Sequence, residues 1–261
     1  DYGYFNAIYQ TYVRNTKHTI KTGPSFVYDR YDEVYNDSAY SREEIVPGGF
    51  LEYTYNNGEY FSVVAGMRGD YHNLFGAMFN PRLHIKWNPR ELLAVRLSAG
   101  RGFRVPNIIP ENGSILASSR ELVITEPIDP EVAWNFGSAF TWKFDVGERK
   151  EGYFNVDYFY TMFENQAVAD LDLDPQQVVV SNLDGESYSH SFQAEVGVEA
   201  LERLWLKAAY KHYDVRTTYH GVLLEKPLVA RDRVLFNVGY ETMNEIWKFD
   251  FTVNWFGQKR L

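Results

Sequence analysis

From Phe79 to Asn88 the chain alternates without a break. Odd positions hold Phe79, Pro81, Leu83, Ile85 and Trp87, and even positions hold Asn80, Arg82, His84, Lys86 and Asn88. A β-strand sends successive side chains to opposite faces, so this segment predicts a strand with one apolar face, aromatic at both ends, and one charged face. An Asn-Pro turn over 88–91 returns the chain with Leu93, Val95, Leu97 and Ala99 on the apolar side and Arg96, Ser98, Gly100 and Gly102 on the other. Soluble sheets alternate too. A face carrying Arg82, Lys86 and Arg96 in strands with aromatic ends fits a wall between lipid and water better.

The pattern recurs along the chain. Apolar rows are read at Phe5–Val13, Leu51–Tyr55, Phe61–Met67, Trp134–Trp142, Phe154–Met162, Phe192–Val198, Leu204–Tyr210, Val234–Tyr240 and Trp247–Trp255. With His18–Asp29 this predicts about twelve strands of roughly ten residues, the length that crosses a bilayer at a tilt. Asn56-Asn57-Gly58 is the strongest hairpin signal. Short turns are expected near 16, 57, 89, 148, 202 and 244. Long loops are expected near 36 (Arg30–Arg42), 74 (Tyr71–Ala77), 115, 175 and 223. Strict alternation of short and long connections is the habit of transmembrane barrels, with short periplasmic turns and long extracellular loops. The fold class read from the sequence is therefore all-β, an antiparallel transmembrane β-barrel wall. It fails if Leu83, Ile85, Leu97 and Phe251 lie in a packed core while Arg82, Arg96 and Asp250 face outward.

Composition sharpens this reading in three places. Tyr, Phe and Trp make up 17% of the 261 residues, which suits strands and interfacial girdles. A mean hydropathy of -0.39 does not oppose a barrel, because only alternate residues meet lipid. No apolar run is long enough for a membrane-spanning helix. A formal charge of -9 argues against a nucleic-acid partner, and the absence of cysteine excludes disulfides and thiolate metal sites.

Ser98–Pro106, SAGRGFRVP, resembles the Gly-Phe-Arg-x-Pro signature of TonB-dependent outer-membrane receptors. Glu126–Phe140 is similar to that family's Pro-Glu-x-x-x-Asn-x-Gly strand entry, at Pro130, Glu131, Asn135 and Gly137. Asp157–Asn165 and Asn182–Glu195 resemble later strands, with Ser191-Phe192 where glycine is common, and Leu224–Arg231 and Trp247–Leu261 look like receptors of Bacteroidetes-type bacteria. The resemblance implies an importer in the bacterial outer membrane. Outer loops would capture a ferric siderophore, cobalamin or oligosaccharide, and the TonB complex would act through a plug. It also implies that residues 1–261 form the middle and later strands of one 22-stranded barrel domain, without the N-terminal plug. A passive porin-like or adhesion barrel is the alternative, and a soluble β-sheet carbohydrate-binding protein a further one.

Candidate ligand or plug contacts are Arg101, Phe103 and Arg104, whose segment reads better as a strand terminator ending at Pro106. Tyr31 and Tyr35, in the Tyr-rich stretch 28–40, suit either an aromatic ligand platform or a rim girdle. Asp170, Asp172 and Asp174 have the oxygen chemistry of a hard-cation site but read better as one solvated face. The six histidines show no ligand spacing, and Glu43-Glu44 and Glu195/Glu199 lack a nucleophile. No catalytic residue, resident metal or cofactor is expected; outer-membrane lipid is.

Overall fold

A computed structural model describes residues 1–35, 38–113, 117–118, 120–147 and 150–260. Most of them lie in one fourteen-stranded sheet, whose path runs through twelve antiparallel strands in chain order. These are β1 (Tyr2–Asn6), β3 (His18–Tyr35), β4 (Ser38–Asn56), β5 (Phe61–His72), β6 (Gly76–Arg90) and β7 (Leu93–Arg104). They continue as β9 (Glu131–Val146), β10 (Lys150–Asn165), β13 (Ser187–Leu201), β14 (Leu204–Tyr219), β16 (Asp232–Glu241) and β17 (Lys248–Phe256). Beside the path, β2 (Tyr9–Tyr12) pairs with β3, and β15 (Val222–Glu225) with β14.

The expected first strand is split into β1 and β2, which hold one register on β3. The break falls opposite Gly23-Pro24. Proline has no N–H to give the ladder, and a Cβ on Gly23 would lie 1.8 Å from the Ala7 carbonyl oxygen. In β6–β7 the pairs Leu83↔Ala99, Ile85↔Leu97 and Trp87↔Val95 reproduce the expected register. The Asn-Pro dipeptide is a correction: it makes a bulge between Trp87 and Arg90 inside β6, and the turn itself is Glu91-Leu92.

Two expected long loops are strand. Register runs to Tyr35↔Ser38 in place of an Arg30–Arg42 loop, although residues 36 and 37 themselves lie outside the described residues. Hydropathy misses this because the hairpin is held by polar cross-strand contacts. Arg42 stacks 4.9 Å from the Tyr31 ring and Ser41 Oγ donates to Asp32 across the pair (2.8 Å), while Arg30 Nε donates to the same carboxylate from within β3 (3.0 Å). Tyr71–Ala77 shrinks to a turn over Asn73–Phe75 closed by Gly76 at φ +78°. Asn73 replaces the missing ladder, accepting from the Ile45 N–H at 2.9 Å and donating to the Glu43 carbonyl at 2.9 Å. The Asn57-Gly58 turn is present, with Gly58 at φ +67°. Of the turn expected near 148, residues 148 and 149 lie outside the described residues.

Antiparallel order sorts the connections onto two edges. The short turns share one. The other carries the β3–β4 tip, the Asn73 turn and the segments at 105–130, 166–186 and 220–231. The long loops expected near 115 and 175 instead build a short helix α1 (Ile108–Glu111) and a three-stranded sheet of β8 (Glu121–Ile124), β11 (Ala167–Asp170) and β12 (Gln177–Asn182). Its core is Val178 and Val180, against which Tyr35, Ile108, Ile109, Leu122, Ile128, Ala169 and Leu171 pack.

Among the described residues no such layer covers the apolar row of the large sheet. Leu83, Leu97 and Phe251 are 39%, 48% and 64% exposed, Ile85 is half-buried, and Arg82, Arg96 and Asp250 on the opposite face are exposed too. Each large apolar side chain left in water forfeits about 1.5–3 kcal/mol of burial. A handful therefore matches the whole net stability of an ordinary domain, ~5–15 kcal/mol.

Candidate functional site at the loop-bearing edge

Register divides the side chains near the loop-bearing edge between the two faces. Arg104 opposes Glu131 in β9, while Arg101 opposes Trp134 and Phe103 opposes Val132. Arg104 therefore lies in the polar row with Arg82, Ser98 and Gly100, and Arg101 and Phe103 lie in the aromatic row with Trp134 and Phe136.

On the polar side Arg104 donates to Glu131 Oε2 from Nε (3.0 Å) and Nη2 (2.5 Å), and its Nη1 is 2.9 Å from Glu111 Oε1 on α1. The other oxygen of Glu131 accepts from the Ala167 N–H at the start of β11, 3.3 Å away. One carboxylate thus ties β7, β9 and the small sheet together, and its hydrogen bonds hold the Arg104 guanidinium above the ordinary arginine range. Arg42 reaches the same place from β4. It donates to the Pro106 carbonyl (3.1 Å) and to Asn107 Oδ1 (2.5 Å), with its Nε 2.6 Å from Glu44. Glu44 in turn lies 3.5 Å from Nε2 of the buried His72.

Tyr31 joins this cluster through Arg42, and Tyr35, further along the same row, packs on the Val178–Val180 core. The small sheet therefore lies over the polar face. Beneath it is a cavity of about 410 Å³ lined by Arg104, Glu131, Gln166, Tyr219 and Lys226 among others. Burial pushes the Tyr219 phenol up. A groove of about 450 Å³ continues along the sheet past Arg82, His84, Ser98 and Asn135, with Arg104 and Glu131 lining both spaces.

On the aromatic side Arg101 meets Glu164 at 2.7 Å and the Phe79 carbonyl at 2.9 Å. The Trp134 indole N–H donates to the same Glu164 at 2.9 Å. Phe103 is half-buried beside them. Arg101 and Arg104, three residues apart, work on opposite sides of the wall.

The three aspartates of the 170–174 segment are held separately. Asp170 accepts from the Asp172 N–H and lies 2.8 Å from His220, Asp172 pairs with Arg260, and Asp174 caps the Gln176 N–H. Among the described residues no group of three or more His, Asp or Glu side chains is arranged to hold a metal. Sequence reasoning placed Glu131 in a strand-entry motif without giving it a contact, and missed Arg42 and the Val178-Val179-Val180 run. The last had a signal, since a short continuous apolar run is the mark of a strand buried on both faces.

Residues 1–260 match the family described as TonB dependent receptor-like, beta-barrel. The chain belongs to that family. Its fold is a barrel-type transport fold of the bacterial outer membrane, not an enzyme. No curated protein matches the sequence. Among solved structures, the siderophore receptor PirA from Pseudomonas aeruginosa superposes with a TM-score of 0.70 at 14% identity, over 98% of this chain and 46% of that one. The FrpB iron transporter from Neisseria meningitidis (F3-3 variant) gives 0.64 at 14% identity, over 95% and 41%. A mutant of the ferric enterobactin receptor PfeA from Pseudomonas aeruginosa gives 0.66 at 11%, over 98% and 40%. This TonB-receptor barrel chain spans less than half the length of these structures.

Proposed function

We propose that the chain is a stretch of barrel wall, the middle and later strands, in an energy-coupled outer-membrane importer of Bacteroidetes type. The aromatic row meets lipid, the polar row faces an aqueous interior, the short turns are periplasmic and the loop-bearing edge is extracellular. The carrying observation is the uncovered apolar row. In β9 two tryptophans, Trp134 and Trp142, stand eight residues apart in it, and in β6 Phe79 and Trp87 do the same. Eight residues span about 26 Å along a strand, or roughly 20 Å of bilayer at a tilt of ~40°, close to the apolar band of such barrels. Arg101, Glu164 and Phe103 then sit in the extracellular girdle.

The solute class favoured is a ferric siderophore, because the similar structures are siderophore and iron receptors, ahead of cobalamin or an oligosaccharide. It is captured by the outer loops, with Arg104, Tyr31 and Tyr35 on the interior side, and passage is powered by the TonB complex acting through a plug. The test is growth of a deletion strain on iron, corrinoid and glycan sources, with uptake measured with and without a protonophore. A nutrient-specific defect and protonophore-sensitive uptake are expected. Uptake indifferent to the proton-motive force overturns the importer and leaves a passive barrel.

A further inference from the structure

Two Asn-Gly dipeptides occur in the chain, Asn57-Gly58 and Asn112-Gly113. In such a pair the glycine nitrogen can attack the asparagine Cγ, because no Cβ on the following residue shields it. The fold sets the two pairs in opposite circumstances.

Asn112 ends α1 and is half-buried. Its Nδ2 donates to the Ile108 carbonyl at 2.8 Å, which draws the side chain back over the helix and away from the Gly113 nitrogen. Asn57 begins the exposed turn between β4 and β5, and Gly58 stands at φ +67° with nothing within 4 Å of where a Cβ would be. Among the described residues neither the Gly58 N–H nor the Asn57 Nδ2 makes a hydrogen bond. The Asn57 Oδ1 accepts from the Lys17 ammonium at 2.6 Å. Lys17 is held there by the turn between β2 and β3: its N–H donates to Asn15 Oδ1 (3.0 Å), and its carbonyl accepts from the Asn56 N–H (2.8 Å). A charged donor on Oδ1 withdraws electrons from Cγ and meets the negative charge that grows on that oxygen as a nitrogen adds.

We propose that Asn57 is a site of spontaneous deamidation, activated by Lys17. The Gly58 nitrogen bonds to Cγ, its proton and the Nδ2 amine leave together as ammonia, and a succinimide ring closes. Water then opens the ring. Hydrolysis at Cγ gives aspartate, whose carboxylate faces Lys17, so a hydrogen bond between two neighbouring turns becomes an ion pair. Hydrolysis at the backbone carbonyl gives isoaspartate, which lengthens the main chain by a carbon in a turn closed by the Asn57 N–H on the Phe61 carbonyl, 2.8 Å away. Every reacting atom belongs to this one turn or to water.

Peptide mass mapping of the protein, extracted from membranes in detergent and incubated at neutral pH, tests the site, with the urea-unfolded protein as reference. Unfolded, the two Asn-Gly pairs should gain mass at similar rates. Folded, Asn57 should react about tenfold or more faster than Asn112, a barrier difference of ~1.4 kcal/mol. Lys17→Met should slow Asn57 about threefold, the size of an exposed charge contact, and leave Asn112 as it was, while Lys17→Arg should keep the wild-type rate. Equal rates at the two sites in the folded protein, or faster reaction at Asn112, overturn the site. An unchanged rate in Lys17→Met overturns the part given to Lys17. The readout involves no transport, so its outcome is separate from that of the importer reading.

Discussion

At Leu97 the two solvents the wall could face give opposite expectations. The side chain is 48% exposed in the outer row, so in a water-soluble sheet Leu97→Lys is close to neutral. In a bilayer a lysine near the midplane of a barrel's lipid face costs roughly 2–4 kcal/mol. Urea unfolding of the protein in phospholipid vesicles should show that loss. Moving the lysine one place to Ser98, in the polar row, should cost much less. Equal, small effects at both positions would remove the assignment of faces. Leu97 was legible in the sequence because the two-residue period alone fixes its side. Arg101 was not, because its motif groups it with Arg104 while the pleat sends them apart.

The β3–β4 hairpin shows where the element-level reading fails and why. Glu33, Asp32, Arg30 and Arg42 give it the composition of a loop, yet it is paired throughout the described residues up to Tyr35↔Ser38. Cross-strand hydrogen bonds and a cation–π contact are non-local and leave no mark on hydropathy. The Ser41 hydroxyl, donating to Asp32, holds that carboxyl below the usual carboxylate range, with Arg30 adding to the effect. A depressed folded pKa means that the contribution is complete above the unfolded value, ~3.9, and fades as pH falls through the folded one. Proteolytic resistance of segment 30–42 should therefore be level from neutrality to about pH 4 and drop below it. Asp32→Asn should flatten that drop; an unchanged profile would show that Asp32 does not hold the hairpin.

Across the whole molecule, periodicity exposed the large sheet almost strand by strand, because each of its strands obeys one rule independently. The small sheet stayed hidden: β8 and β12 are parallel partners more than fifty residues apart, and only tertiary contact brings them together. Glu131 is what joins the two sheets. Glu131→Gln should weaken that joint by about 1 kcal/mol, discounted because Arg104 is more than half exposed. Amide exchange at Val178–Val180 should then quicken roughly fivefold, while exchange at Val95–Ala99 in the large sheet stays as it was. Faster exchange in both places would mean that the two sheets open as one unit.

The same joint changes what the tall hairpin is. From Gly48, the last point of β4 that pairs with β5, ten residues lead to Ser38, a rise of about 33 Å. Tyr35 near its tip is seated on Val178 and Val180, and Arg42 halfway up grips Asn107. It is a beam with a support at each end and a stay in the middle, not a free mast. A push on the small roof it leans on must therefore tilt the beam, and a load on the beam must lift the roof.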